Sequence, residues 1–120
     1  MRKILTAAFL AALMTAPLYA QKAHKIGEEG VRAPKLLKEV KPQYTEGAMN
    51  RNVQGTVEVE AVVLSDGTVG DVTIKRSLDG ELDEEAIKAT KQWRFSPGTK
   101  DDQAVDVLVQ IELTFTLRKK

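Results

Sequence analysis

The chain predicts an α+β domain of two layers, a three-stranded antiparallel sheet packed against two helices, and three observations carry that prediction. Over residues 105–117 every odd position is apolar (Val105, Val107, Val109, Ile111, Leu113, Phe115, Leu117), while the even positions hold Asp106, Leu108, Gln110, Glu112, Thr114 and Thr116. A period of two is that of a strand with one face buried and the other largely wet. Upstream, two shorter alternating runs flank Ser65-Asp66-Gly67-Thr68, an Asp-Gly turn that sends the chain straight back as a hairpin. Between hairpin and last strand the period becomes helical, with Leu82, Ala86, Ala89 and Trp93 at i, i+4, i+7 and i+11.

In chain order, Met1-Arg2-Lys3, an apolar run over 4–14, Pro17 and Ala20 read as a secretory signal peptide over residues 1–20, with cleavage expected after Ala20. Leu18 is bulky for its place before the cut. The rival is an uncleaved inner-membrane anchor, but the apolar stretch is shorter than the roughly 20 residues of a spanning helix. Residues 21–41 carry six basic and three acidic side chains with Pro34 and few apolar anchors, and are expected to form a polar tether. Its later half, 33–40, can add an extended segment, because Pro34 and Pro42 bias their neighbours away from helix.

The domain is expected over 42–120. Thr45 can cap a short helix reaching about Asn52, with Ala48 and Met49 inward and Gly55 as its end. Residues 56–64 place Val57, Val59, Ala61 and Val63 on one face of a strand, and the return strand over 69–77 turns Val72 and Ile74 inward. The second helix is expected over about 82–95. Acids crowd its first turn, Lys88, Lys91 and Arg94 come later, and Glu84 with Lys88 makes an i,i+4 pair. Ser96-Pro97-Gly98 stops it, and a polar loop to Gln103 leads into the last strand. A right-handed crossover through this helix places the first strand of the hairpin in the centre. The strands over 69–77 and 105–117 are then the two edges.

The composition narrows the function. Removing Arg2 and Lys3 from the eighteen basic residues leaves sixteen against seventeen acids, and the basic residues do not cluster beside aromatics, so nucleic acid is not an expected partner. There is no cysteine, hence no disulfide framework and no thiol nucleophile. His24, the only histidine, has no second ligand for a metal, and Asp66 and Asp71 lack the spacing of a calcium loop. Asp83, Glu84 and Glu85 read as helix-dipole complements. No catalytic residue, metal or cofactor is expected. Trp93 reads as core with one partner for its indole N–H; Tyr44 reads as either a packing anchor or part of a groove.

Together these residues resemble the carboxy-terminal domain of the TonB family, the periplasmic energy transducers of Gram-negative bacteria. The resemblance covers residues 34–117 and rests on Pro42-Gln43-Tyr44, Gly55-Thr56-Val57, Ser65-Asp66-Gly67-Thr68-Val69, Leu82-Asp83-Glu84-Glu85-Ala86 and Trp93-Arg94-Phe95-Ser96-Pro97-Gly98, in that order. It implies a periplasmic binding module and not an enzyme. Such domains grip a segment at the amino terminus of an outer-membrane TonB-dependent receptor by adding it as a strand to their sheet edge, in support of transmembrane transport.

Carried to this chain, the pairing edge is Val105, Val107, Val109, Ile111 and Leu113, and Lys41, Pro42, Gln43 and Tyr44 match the stretch that helps hold the segment. A proline at Val109 or Ile111 is expected to block pairing. Lys41 stands where well-studied members have glutamine, and Thr45 where they have a second proline. The sequence shows neither an uncleaved spanning helix nor a long proline-rich spacer, and a tether of twenty-one residues reaches only about 25 Å. A docking module is therefore expected, with any motor-coupled anchor supplied by a separate membrane-anchored transducer. The alternative from another class is a self-associating periplasmic domain, a strand-paired homodimer covering Leu108, Val62 and Leu64.

Overall fold

The computed structural model describes residues 23–117, so the expected signal segment lies outside the described residues. In chain order these form β1 (His24–Lys25), β2 (Val31–Arg32), β3 (Lys35–Lys38), α1 (Glu46–Asn50), β4 (Gly55–Val63), β5 (Val69–Arg76), α2 (Gly80–Thr90), β6 (Arg94–Ser96), β7 (Thr99–Lys100), β8 (Gln103–Ala104) and β9 (Val107–Phe115).

The hairpin and the crossover build the sheet as expected, with β4 central and antiparallel to both β5 and β9. The strand number differs. β1 joins the far side of β9 in parallel, His24 opposite Val107 and Lys25 opposite Leu108, so the main sheet has four strands in the order β1-β9-β4-β5. Two further sheets, β2-β7-β8 and β3-β6, lie beside it. All the added strands are two to four residues long. Such pieces carry no readable alternation and become strands only where a partner backbone meets them. The stretch expected as a tether thus supplies β1, β2 and β3, and its extended later half pairs with β6, Leu36 opposite Phe95.

The core lies between sheet and helices. Val57, Val59, Ala61 and Val63 stand opposite Leu113, Ile111, Val109 and Val107, and Leu82, Ala86 and Ala48 close over them. Each large apolar side chain removed from water here is worth about 1.5–3 kcal/mol. The hairpin tip is tied down as well. Gly67 takes φ +89°, its N–H donates to the Leu64 carbonyl at 2.8 Å and its carbonyl accepts from Phe95 N–H at 2.9 Å.

Both helices are shorter than their periodicity. Thr45 caps α1 by accepting from Ala48 N–H at 3.1 Å, but Asn52 in the left-handed region, not Gly55, ends it, and Met49 is 42% exposed while Ala48 is fully buried. α2 stops at Thr90. Trp93 is buried as the stripe required, yet Arg94–Ser96 forms β6 and Phe95 is buried from that strand, because the backbone of β3 offers a strand partner that outweighs the helical period. Lys88 pairs with Glu85 at 3.0 Å in place of Glu84.

Asp79 is the cap of α2, accepting from Glu81 N–H at 3.0 Å and Leu82 N–H at 3.3 Å, with Arg51 Nη1 at 2.6 Å. The Arg51 guanidinium first, then the helix N–H groups, hold its carboxyl below the usual carboxylate range. A lowered native pKa adds stability that is fully present above the unfolded value of about 4 and is lost as pH falls through the native one. Asparagine caps as well as aspartate. In urea titrations from pH 7 to pH 2, Asp79→Asn is therefore expected to lose stability less steeply below pH 4 than the parent; matching slopes would disprove the assignment.

Candidate functional site

The backbone of β9 alternates its hydrogen-bonding groups between its two neighbours. His24 N–H donates to the Asp106 carbonyl at 2.8 Å, so the even positions turn their N–H and C=O away from β4. The odd positions face β4, and Leu117 N–H, bonded to Gln54 Oε1 at 2.8 Å, follows the same parity. Beyond Leu108 β9 has no further strand neighbour on that side among the described residues. Gln110, Glu112 and Thr114 consequently present an open edge.

A groove of about 430 Å³ runs beside this edge. One wall is Glu39, Lys41, Pro42 and Tyr44 with Trp93 behind; the other is residues 112–116 of β9 and its exit. The first wall is held off the edge by three ties. β3 pairs with β6. Trp93 Nε1 donates to the Val40 carbonyl at 2.8 Å. Tyr44 donates its hydroxyl to the Val53 carbonyl and sets its ring edge-on to Phe115, centroids 5.5 Å apart at 80°. Tyr44 is thus both anchor and lining, which joins the two readings left open by the sequence.

Of the residues singled out from sequence, Lys41, Pro42, Tyr44 and Leu113 meet at this groove. Gln43 borders a different cleft, with Glu85 and Lys88 of α2 and Gln92 just beyond its end. Val105 lies before β9, its N–H bonded to the Gly98 carbonyl at 3.0 Å, and Val107 is fully buried behind β1. Val109, Ile111 and Leu113 send their side chains to the core side and their backbone groups to β4. The expectation that Val109 and Ile111 bond outward is corrected: their backbone groups face β4, and the outward positions of β9 are the even ones. Alternation shows which side chains are buried, but not which neighbour the N–H groups meet. Glu39, Trp93 and Phe115 were also missed as lining, since only the Val40 and Tyr44 ties bring them together. Among the described residues no helix is long and apolar enough to cross a membrane.

Fold and edge define a class: a small two-layer α+β domain whose main sheet stops at a partly open strand flanked by a groove. The chain belongs to the family of the Gram-negative bacterial TonB protein C-terminal domain, whose family model matches residues 40–117. It is 36% identical over 77 residues to Protein tonB2 of Pseudomonas aeruginosa, covering 63% of this chain and 28% of that protein. With Protein TonB of Vibrio cholerae it shares 32% identity over 80 residues, 66% of this chain and 33% of the relative. The chain spans about a third of the length of these curated relatives. Its fold is similar to the solution NMR structure of the Pseudomonas aeruginosa TonB CTD, with a TM-score of 0.60 at 23% identity, over 80% of this chain and 95% of that one.

Proposed function

We propose that this domain is a periplasmic TonB-like binding module that docks an extended segment of an outer-membrane TonB-dependent receptor, in support of transmembrane transport. The single observation that carries the reading is the open outward edge of Gln110, Glu112 and Thr114 beside the Tyr44 and Pro42 wall. A segment added there gains main-chain hydrogen bonds, each worth about 0.5–1.5 kcal/mol net. Alternate side chains of the segment enter the groove over Leu113, Tyr44 and Trp93, which supplies selectivity.

The observed parity chooses the test. Proline at Glu112 removes an outward N–H and blocks the edge, while the bonds to β4 survive. Isothermal titration with peptides copying the amino-terminal segments of receptors encoded in the same genome is expected to show at least tenfold weaker binding for Glu112→Pro, with an unchanged circular dichroism spectrum. Equal affinities would refute the edge as the site. Ile111→Pro, by contrast, breaks a bond to β4 and is expected to unfold the sheet. A dimer that Glu112→Pro dissolves, with no peptide bound by the parent, would replace receptor docking with self-association.

A further inference from the structure

The edge that β9 leaves open is already taken at one end by the chain itself. β1 closes the outward positions around Asp106 and Leu108 and then stops after two residues. It stops because the chain is drawn back on itself. Glu28 Oε1 lies 3.0 Å from His24 Nδ1, Glu28 Oε2 accepts from Lys25 N–H at 2.9 Å, and Glu28 N–H bonds to the Lys25 carbonyl at 3.2 Å. Gly27 at the bend takes φ +104°. Ile26 is 55% exposed and borders a shallow cleft with Leu108 and Gln110. So short a pairing has few bonds to lose, and an incoming strand in the same register would reach it next.

Resting on the strand-addition reading, we propose that β1 is an intramolecular competitor for the docking edge. It confines a short docked segment to positions 110–116, and a longer one displaces it, gaining the carbonyl of Asp106 and the N–H and C=O of Leu108. One partner residue sits opposite each residue of β9, so the free stretch holds about seven partner residues and the cleared edge about eleven. Segment length therefore sets whether β1 is felt at all.

The chain has no cysteine, so Lys25→Cys with Leu108→Cys creates a single facing pair that oxidation closes and a reductant reopens. Neighbouring strands bring such Cα atoms to about 4.8 Å, within the range a disulfide spans. Two synthetic peptides, seven and eleven residues long and copied from one receptor amino-terminal segment, are titrated into both forms by calorimetry. The eleven-residue peptide is expected to bind the reduced form at least tenfold more tightly than the oxidised form, and the seven-residue peptide both forms alike.

Equal binding of the long peptide to the two forms would overturn the competitor and leave docking intact. No binding of either peptide to either form would overturn docking, and the competitor with it. Hydrogen exchange gives a readout without peptide: in His24→Pro the Leu108 amide is expected to exchange as fast as that of Gln110, and unchanged protection would likewise overturn the proposal.

Discussion

Replacing Gly67 with alanine is expected to lower stability by about 3 kcal/mol or more and the thermal midpoint by more than about 10 °C, since a Cβ there meets a closer neighbour than one at Gly55 or Gly98. Two costs combine. Gly67 has φ +89°, a conformation that costs an L residue with a side chain about 1–2 kcal/mol. A Cβ there would also lie 2.1 Å from the carbonyl oxygen of Phe95, a backbone atom that cannot swing away. Relief requires the hairpin tip to part from β6, giving up the Phe95 N–H bond to the Gly67 carbonyl. For a domain of this size each kcal/mol moves the midpoint by about 4–8 °C. Gly67→Asn separates the two costs. Asparagine tolerates a positive φ but keeps the Cβ, so it is expected to be nearly as damaging as alanine in chemical denaturation. Recovery of most of the loss by asparagine would show that conformation, not close approach, is the constraint.

Removing Trp93 is expected to cost about 3–5 kcal/mol as Trp93→Ala, in the range of large aromatic truncations in cores. Trp93 is 7% exposed, stacks at a tilt against Phe95 with centroids 6.2 Å apart, and ties the Val40 carbonyl through its indole N–H. Trp93→Phe keeps much of the ring volume and loses that bond, and an acceptor left without a donor costs about 1–3 kcal/mol. The two variants make different demands on the groove. Both release the Val40 tie, so both are expected to loosen the wall carrying Lys41, Pro42 and Tyr44, even though the phenylalanine variant retains most of the core. Urea denaturation followed by far-ultraviolet circular dichroism measures the stability, since the only tryptophan is gone. Hydrogen exchange over residues 39–44 measures the wall. A phenylalanine variant with parental exchange there would show that β3 and Tyr44 hold the wall without Trp93.

These two residues mark the limit of what the sequence shows. The Asp-Gly turn was legible because a tight hairpin needs positive φ at that point, and Ser65-Asp66-Gly67-Thr68 supplies it locally. That the tip then presses against Phe95 was not legible, because the partner lies twenty-eight positions away. Trp93 was legible as core from its place on the apolar stripe. Its departure from the helix was not, because β6 exists only through pairing with β3, and four exposed residues reading Lys-Leu-Leu-Lys carry no strand signal of their own. The candidate site divides the same way. Pro42 and Tyr44 were identified through a motif, whereas Gln43, in the same motif, borders a different cleft beside α2.

By itself the sequence determined the order of the main elements, the hairpin, the buried face of β9 and the family, since each is written in a local period or a short motif. The tertiary structure decided the parity of the open edge, the partial occupation of that edge by β1 and the wall that makes a groove of it. The reason is physical. Side-chain burial repeats along one strand and can be read there, but a backbone N–H is paired or free only according to which distant segment arrives beside it.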